Sequence, residues 1–183
     1  MTQNRLCTMI RKTLLFSILC SLFISGFQDA HSQIIKTRLD IVGGLAFVEY
    51  AHAGLRYQYG PSSQVGLYYG GDLNIKPEII TNWTAEHVYH FGKNNFYSNR
   101  PVWYTRQGFT ISKQLESGST YKIGYLQLSI GYEFPLTNHL GLNFDMGLNC
   151  KVRQKTVESS GTVRVDPSWY LLPLARLQLY VSL

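Results

Sequence analysis

Few residues in this chain could do chemistry, and their spacing argues against most of it. His87 and His90, in the run His87-Val88-Tyr89-His90, suggest a metal pair. Residues three apart on a regular strand, however, face opposite sides and cannot share an ion. His52 with Asp40 or Asp72 would make a catalytic dyad; the preferred reading is that these groups fill an interior with ion pairs and hydrogen bonds. Cys150 is the one cysteine after position 32, and with Leu148 and Val152 on its face it reads as a small hydrophobe rather than a nucleophile. No His-Glu-x-x-His, Gly-x-Ser-x-Gly or phosphate-cradling glycine loop is present, so no enzyme, metal or cofactor is expected.

The elements that must carry these residues alternate with period two. Across 140–152, Leu140, Leu142, Phe144, Met146, Leu148 and Cys150 share one side, and Gly141, Asn143, Asp145, Gly147 and Asn149 the other. Across 121–134, Leu126, Leu128, Ile130, Tyr132 and Phe134 oppose Gln127, Ser129, Gly131 and Glu133. With the turn at 135–138 these form an antiparallel hairpin with one apolar and one polar face. The same pattern predicts strands at 36–47, 50–59, 64–72, 84–91, 102–112 and 173–183, which brings the count to eight. Between them lie connections at 73–83, 92–100, 114–120 and 153–169. After position 32 no stretch shows helical periodicity over three turns or approaches twenty consecutive apolar residues.

Residues 1–32 read as a secretory signal peptide. Arg5, Arg11 and Lys12 precede an apolar run at 13–27, and Ala30-His31-Ser32 offers a small-x-small cleavage site. The remainder, 33–183, suits one domain. It carries 14 Lys and Arg against 10 Asp and Glu, an excess too modest and scattered for nucleic-acid binding. With a single cysteine it forms no internal disulfide, so ladder and packing must hold the fold.

Two arrangements fit the alternation. With polar faces inward, the interior receives Arg38, Asp40, Arg56, Asp72, Glu86, Arg106, Glu133, Asp145 and Arg176, an ionic network, and the apolar faces meet hydrocarbon. The alternative is a secreted soluble barrel binding a hydrophobic ligand, with Leu128, Leu142 and Phe144 inside and Glu133 and Asp145 in solvent. Strands of about ten residues suit a tilted crossing of a bilayer. Tyr57, Tyr59, Tyr132 and Phe134 flank two short turns as an interfacial girdle would.

In its signal peptide, its eight alternating strands and its terminal strand at 175–183, the chain resembles the small eight-stranded outer-membrane β-barrel proteins of Gram-negative bacteria, the porin-like, OmpA/OmpX-like group. Members commonly end in an aromatic residue; this chain ends in Leu183, with Tyr180 on the other face. The resemblance implies an all-β, antiparallel, up-and-down transmembrane barrel in the bacterial outer membrane. Outer-membrane lipid and the barrel-assembly machinery would be its partners. Eight strands enclose a lumen that side chains fill, so the expected protein is a plugged, non-enzymatic barrel. Its loops would bind an unknown partner or its presence would support membrane integrity. A lipid-modifying enzyme on such a barrel would need His52 at the rim beside a serine and an acid.

Overall fold

The computed structural model describes residues 38–183, apart from 48, 73–78, 95–99, 117–118, 159–161 and 167–168. The signal peptide expected at 1–32 lies outside the described residues. Nine strands follow one another: β1 (Arg38–Ala46), β2 (Tyr50–Gln58), β3 (Ser63–Gly71), β4 (Ile79–Asn94), β5 (Pro101–Glu116), β6 (Ser119–Pro135), β7 (Leu140–Glu158), β8 (Val163–Asp166) and β9 (Tyr170–Ser182). No helix is present among the described residues.

Every pairing is antiparallel. β1 through β7 pair in sequence, β9 pairs with β7, and β9 returns to β1 through Asp40↔Ser182 to Ala46↔Arg176. Eight strands thus close into a barrel, which leaves no open edge around its wall. The short β8 stands outside this ring and pairs only with the upper part of β7, Gln154 to Val157.

The up-and-down order sorts the connections into two rims. Arg38, Leu183, the turns after β2 and β6 and the connection after β4 lie at one end, the terminal rim. The C-terminal ends of β1, β3, β5 and β7 lie at the other, the far rim. There β4 to β7 run well past their neighbours, paired as far as Ile79↔Leu115 and Ser119↔Glu158.

Those extensions correct four expectations. β4 begins at Ile79, not at 84, and runs to Asn94, into the loop expected at 92–100. β5 continues to Glu116 and β6 begins at Ser119, so the turn expected at 114–120 is strand at 114–116 and 119–120. The connection expected at 153–169 contains the end of β7 and all of β8. Ladder hydrogen bonds hold these segments although their sequences do not sort into one apolar and one polar face, so alternation there carries no sign of a strand. At β7 a bulge adds to this: the register jumps from Tyr125↔Lys151 to Gly124↔Arg153. One extra residue inverts the parity of everything beyond it.

Within the wall the sorting of side chains is nearly complete. Leu128, Met146 and Leu177 are 59, 57 and 52 % exposed, whereas Asp145, Arg176 and Gln178 on the adjacent positions are each 1 % exposed. The polar faces point inward. The soluble arrangement, with Leu128 and Phe144 lining a cavity, is therefore overturned: both are exposed, and Glu133 and Asp145 are buried.

Candidate functional site: a buried ionic lumen

Among the described residues, charged side chains of both signs gather in the lumen. Its hub is Glu86 on β4, directed inward by the β4 alternation between Ala85 and His87. Glu86 Oε1 accepts from the Tyr68 hydroxyl at 2.6 Å and from Arg56 Nη2 at 3.3 Å; Oε2 accepts from Arg176 Nη1 at 2.7 Å and Arg106 Nη1 at 3.4 Å. Asp145 on β7 takes the other side of two of these cations, Arg176 Nε at 2.8 Å and Arg106 Nη2 at 3.3 Å. Arg106 and Arg176 therefore each bridge two carboxylates, tying β4, β5, β7 and β9 across the barrel.

A second cluster fills the terminal rim. Arg38 lies 3.2 Å from Asp40, and the Ser182 hydroxyl donates to the same carboxylate. Glu133 accepts from the Tyr180 hydroxyl at 2.7 Å.

Seen against the nine interior residues expected from sequence, Arg56, Arg106, Arg176, Glu86 and Asp145 form the central cluster, and Arg38, Asp40 and Glu133 the terminal one. Asp72 is not placed with them. It follows the last residue of β3, half-buried, with its backbone N–H donating to Ile80 O at 3.3 Å. The strand expected to hold it ends one residue too early.

Two lumen residues carry no sequence signal. Arg100, in the connection after β4, turns inward and is 1 % exposed. Its Nε donates to both oxygens of Glu133 at 3.0 Å, and its Nη atoms reach Asp40 at 3.3 Å. Glu49, in the tight connection after β1, enters from the far rim; Thr84 and Thr110 donate to its Oε1 at 3.1 and 3.3 Å. That connection is short enough to force Tyr50 to a φ of 56°, uncommon for a non-glycine residue. With these two, Arg38, Arg56, Arg100, Arg106 and Arg176 balance Asp40, Glu49, Glu86, Glu133 and Asp145. Balance matters because an unpaired charge in such an interior costs several kcal/mol, on the order of 3–5 when one partner is removed.

Three inward tyrosines pack by one rule. Tyr68, Tyr104 and Tyr180 are each directly opposite a glycine on the neighbouring strand, Gly54, Gly131 and Gly141 respectively. A Cβ on any of these glycines would meet the ring, with Tyr68 Cδ1 at 2.7 Å, Tyr104 Cε2 at 2.6 Å and Tyr180 Cε1 at 2.6 Å. The missing side chain lets the ring lie flat along the wall, and each hydroxyl then reaches a carboxylate: Glu86, Asp145 and Glu133.

The catalytic alternatives lose their geometry. His52 meets neither Asp40 nor Asp72; its Nδ1 lies 3.8 Å from Glu49 and its Nε2 2.8 Å from Gln178 Nε2. His87 and His90 face opposite sides, as strand parity demands: His87 Nε2 meets the Tyr59 hydroxyl at 2.9 Å on the outside, and His90 meets Gln64 and the Pro101 carbonyl within. Among the described residues no group of three metal-ligating side chains occurs.

Outside, aromatic side chains gather toward the terminal rim. Trp103, Tyr132 and Phe134 form a chain with ring centroids 5.0 and 4.6 Å apart, and Tyr57 and Tyr59 are exposed toward the same rim, on β2 and just beyond it. Tyr69 and Trp83 pair at 5.0 Å toward the far rim.

A closed eight-stranded antiparallel barrel with an ionic interior and an apolar exterior is a barrel of the outer-membrane type. No protein-family model matches the sequence, and no curated protein does. Among solved structures, the chain is similar to a major outer membrane protein from Thermus thermophilus, with 13% identity and a TM-score of 0.46 over 80% of this chain and 99% of that one. It is also similar to the N-terminal β-barrel domain of Pseudomonas aeruginosa OprF, with 13% identity and a TM-score of 0.44 over 80% of this chain and 96% of that one.

Proposed function

We propose that this chain is an integral protein of the bacterial outer membrane, exported by the segment 1–32 and not an enzyme. Its lumen is plugged, and its work lies in the loops of the far rim, toward a partner not yet known, or in supporting the membrane. The observation that carries this reading is the inverted polarity of the barrel. Exposed Ile41, Leu55, Leu67, Ile130, Phe144 and Leu179 surround the wall while ten charges are paired inside it. In water that apolar girdle would far exceed the few hundred Å² of contiguous apolar surface that soluble monomers expose. In hydrocarbon it is the favoured surface, and the closed ladder satisfies the backbone.

Outer-membrane lipid is the partner of the girdle, and the barrel-assembly machinery the means of insertion. The lumen supports a plugged barrel: four fully buried arginines, Arg56, Arg100, Arg106 and Arg176, stand across it with their counter-ions.

Cell fractionation with detergent extraction, followed by gel mobility with and without boiling, tests the placement. The protein is expected in the outer-membrane fraction, with a mobility that boiling shifts. Recovery as a soluble protein from periplasm or medium would overturn the reading. Planar-bilayer recording tests the plug, with no steady conductance expected.

A further inference from the structure

We infer that the outer face of β5, β6 and β7 carries a binding site for a phosphate-bearing lipid headgroup, formed by Lys113, Lys122 and Lys155. This rests on the membrane reading above and adds to it a specific lipid contact. The three lysines stand directly opposite one another across adjacent strands, Lys113↔Lys122 and Lys122↔Lys155. All three point outward. Lys113 follows the inward Ser112, Lys122 precedes the inward Ile123, and Lys155 has changed sides because of the bulge below it. Cross-strand partners on one face have Cβ atoms about 4.5–5.5 Å apart, and like charges so placed repel. Among the described residues none of the three is ion-paired, and the acids nearby belong to the other face: Glu158 is paired with Arg164 there. Among the described residues, a row of three cations in register is thus maintained without a counter-ion, and an external anion would relieve the repulsion.

Its height identifies the anion. Going up the wall, the apolar girdle ends on β5 with Phe109 and Ile111 and on β6 with Leu128 and Leu126; the next outward charged positions are Lys113 and Lys122, with Arg153 beside them opposite Gly124. This is the boundary between hydrocarbon and headgroups at the far rim. Lysine stems can lie along the apolar wall with the ammonium in the polar layer, where basic clusters take anionic headgroups. The next outward row, Ile79↔Leu115, Thr120↔Val157 and Val157↔Val163, is apolar again except for Thr120. Cations held between two apolar rows suit an amphiphile better than a free ion.

The test compares the full chain in phosphatidylcholine vesicles with and without phosphatidylglycerol, following the temperature at which the folded gel mobility is lost. Wild type is expected to gain about 5 °C or more in the anionic vesicles. Lys113→Gln/Lys122→Gln/Lys155→Gln should fold in both lipids and lose most of that gain, while Lys93→Gln at the opposite rim should keep it. If the barrel folds in both lipids but shows no gain, or if the triple variant keeps it, the lipid site is overturned and the membrane reading stands. If inorganic phosphate in neutral vesicles gives the same gain, the site takes a free anion and the lipid assignment fails. Failure to insert in either lipid would overturn the membrane reading itself.

Discussion

Arg100 Nε holds both oxygens of Glu133 at 3.0 Å and so fastens the residue that leads into β5 to the inner wall. The same guanidinium reaches Asp40 at 3.3 Å and lies 5.3 Å from the centre of the Tyr180 ring. One loop residue thereby joins β1, β6 and β9, and it closes the terminal rim with charge rather than bulk. Arg100→Ala would leave Glu133 and Asp40 buried with fewer partners. A loss of about 3–5 kcal/mol is expected, measured by urea unfolding of the folded barrel in detergent. Arg100→Lys should recover only part, since an ammonium cannot span both oxygens as the planar fork does. An unchanged midpoint for Arg100→Ala would show that the rim does not depend on this tie.

Glu86 is the corresponding tie at mid-barrel. It accepts from three arginines and one tyrosine on four other strands. Glu86→Ala leaves Arg56, Arg106 and Arg176 with a single strong carboxylate, Asp145, between the last two. The barrel is expected to lose at least as much stability as in Arg100→Ala, about 3–5 kcal/mol or more. Refolding yield into detergent micelles, scored by gel mobility, should fall with it. Equal yields for variant and wild type would contradict the role of hub.

The tyrosine–glycine pairs make a steric prediction. Gly131→Ala and Gly141→Ala drive a methyl into the rings of Tyr104 and Tyr180, and overpacking of this kind costs about 1–3 kcal/mol. Gly43→Ala is the control, because a Cβ there has its nearest neighbour, the His52 carbonyl, at 3.8 Å. The unfolding midpoints of the first two should drop while that of the third stays put. A double change, Gly131→Ala with Tyr104→Ser, should cost less than the sum of its parts, since the small hydroxyl side chain leaves room for the methyl.

Phe144 tests the outer face. It is opposite Tyr132 and Leu177 on the flanking strands and is exposed. Phe144→Arg places a charge near mid-bilayer, at a cost of about 2–4 kcal/mol, and should lower insertion into vesicles, whereas Phe144→Leu should insert like wild type. Normal insertion of the arginine variant would count heavily against lipid on this face.

Much of the wall was legible from sequence because strands impose a period of two and lipid and lumen demand opposite chemistries. Where both hold, as at Leu126 to Phe134 or Phe144 to Leu148, parity alone sorts each side chain correctly. At Ile79 to Asn82 and Arg153 to Glu158 it does not, because above the girdle neither face needs to be apolar and only the ladder shows the strand. The bulge opposite Gly124 hid the lysine row for the same reason: unbroken parity beyond Cys150 would put Lys155 on the inner face.

The sequence by itself determined the alternating strands, the antiparallel all-β class and the polar faces that hold eight of the ten charged groups found in the lumen among the described residues. It could do so because each of those eight sits within a strand, where neighbours dictate its direction. Tertiary structure alone decided that polar means inside, that Asp72 stays at the edge, and that Glu49 and Arg100 turn in to complete the balance of charge. Those two come from connections, where no period governs side-chain direction. Their place is set by the carboxylates, hydroxyls and guanidinium groups that only the closed barrel brings within reach.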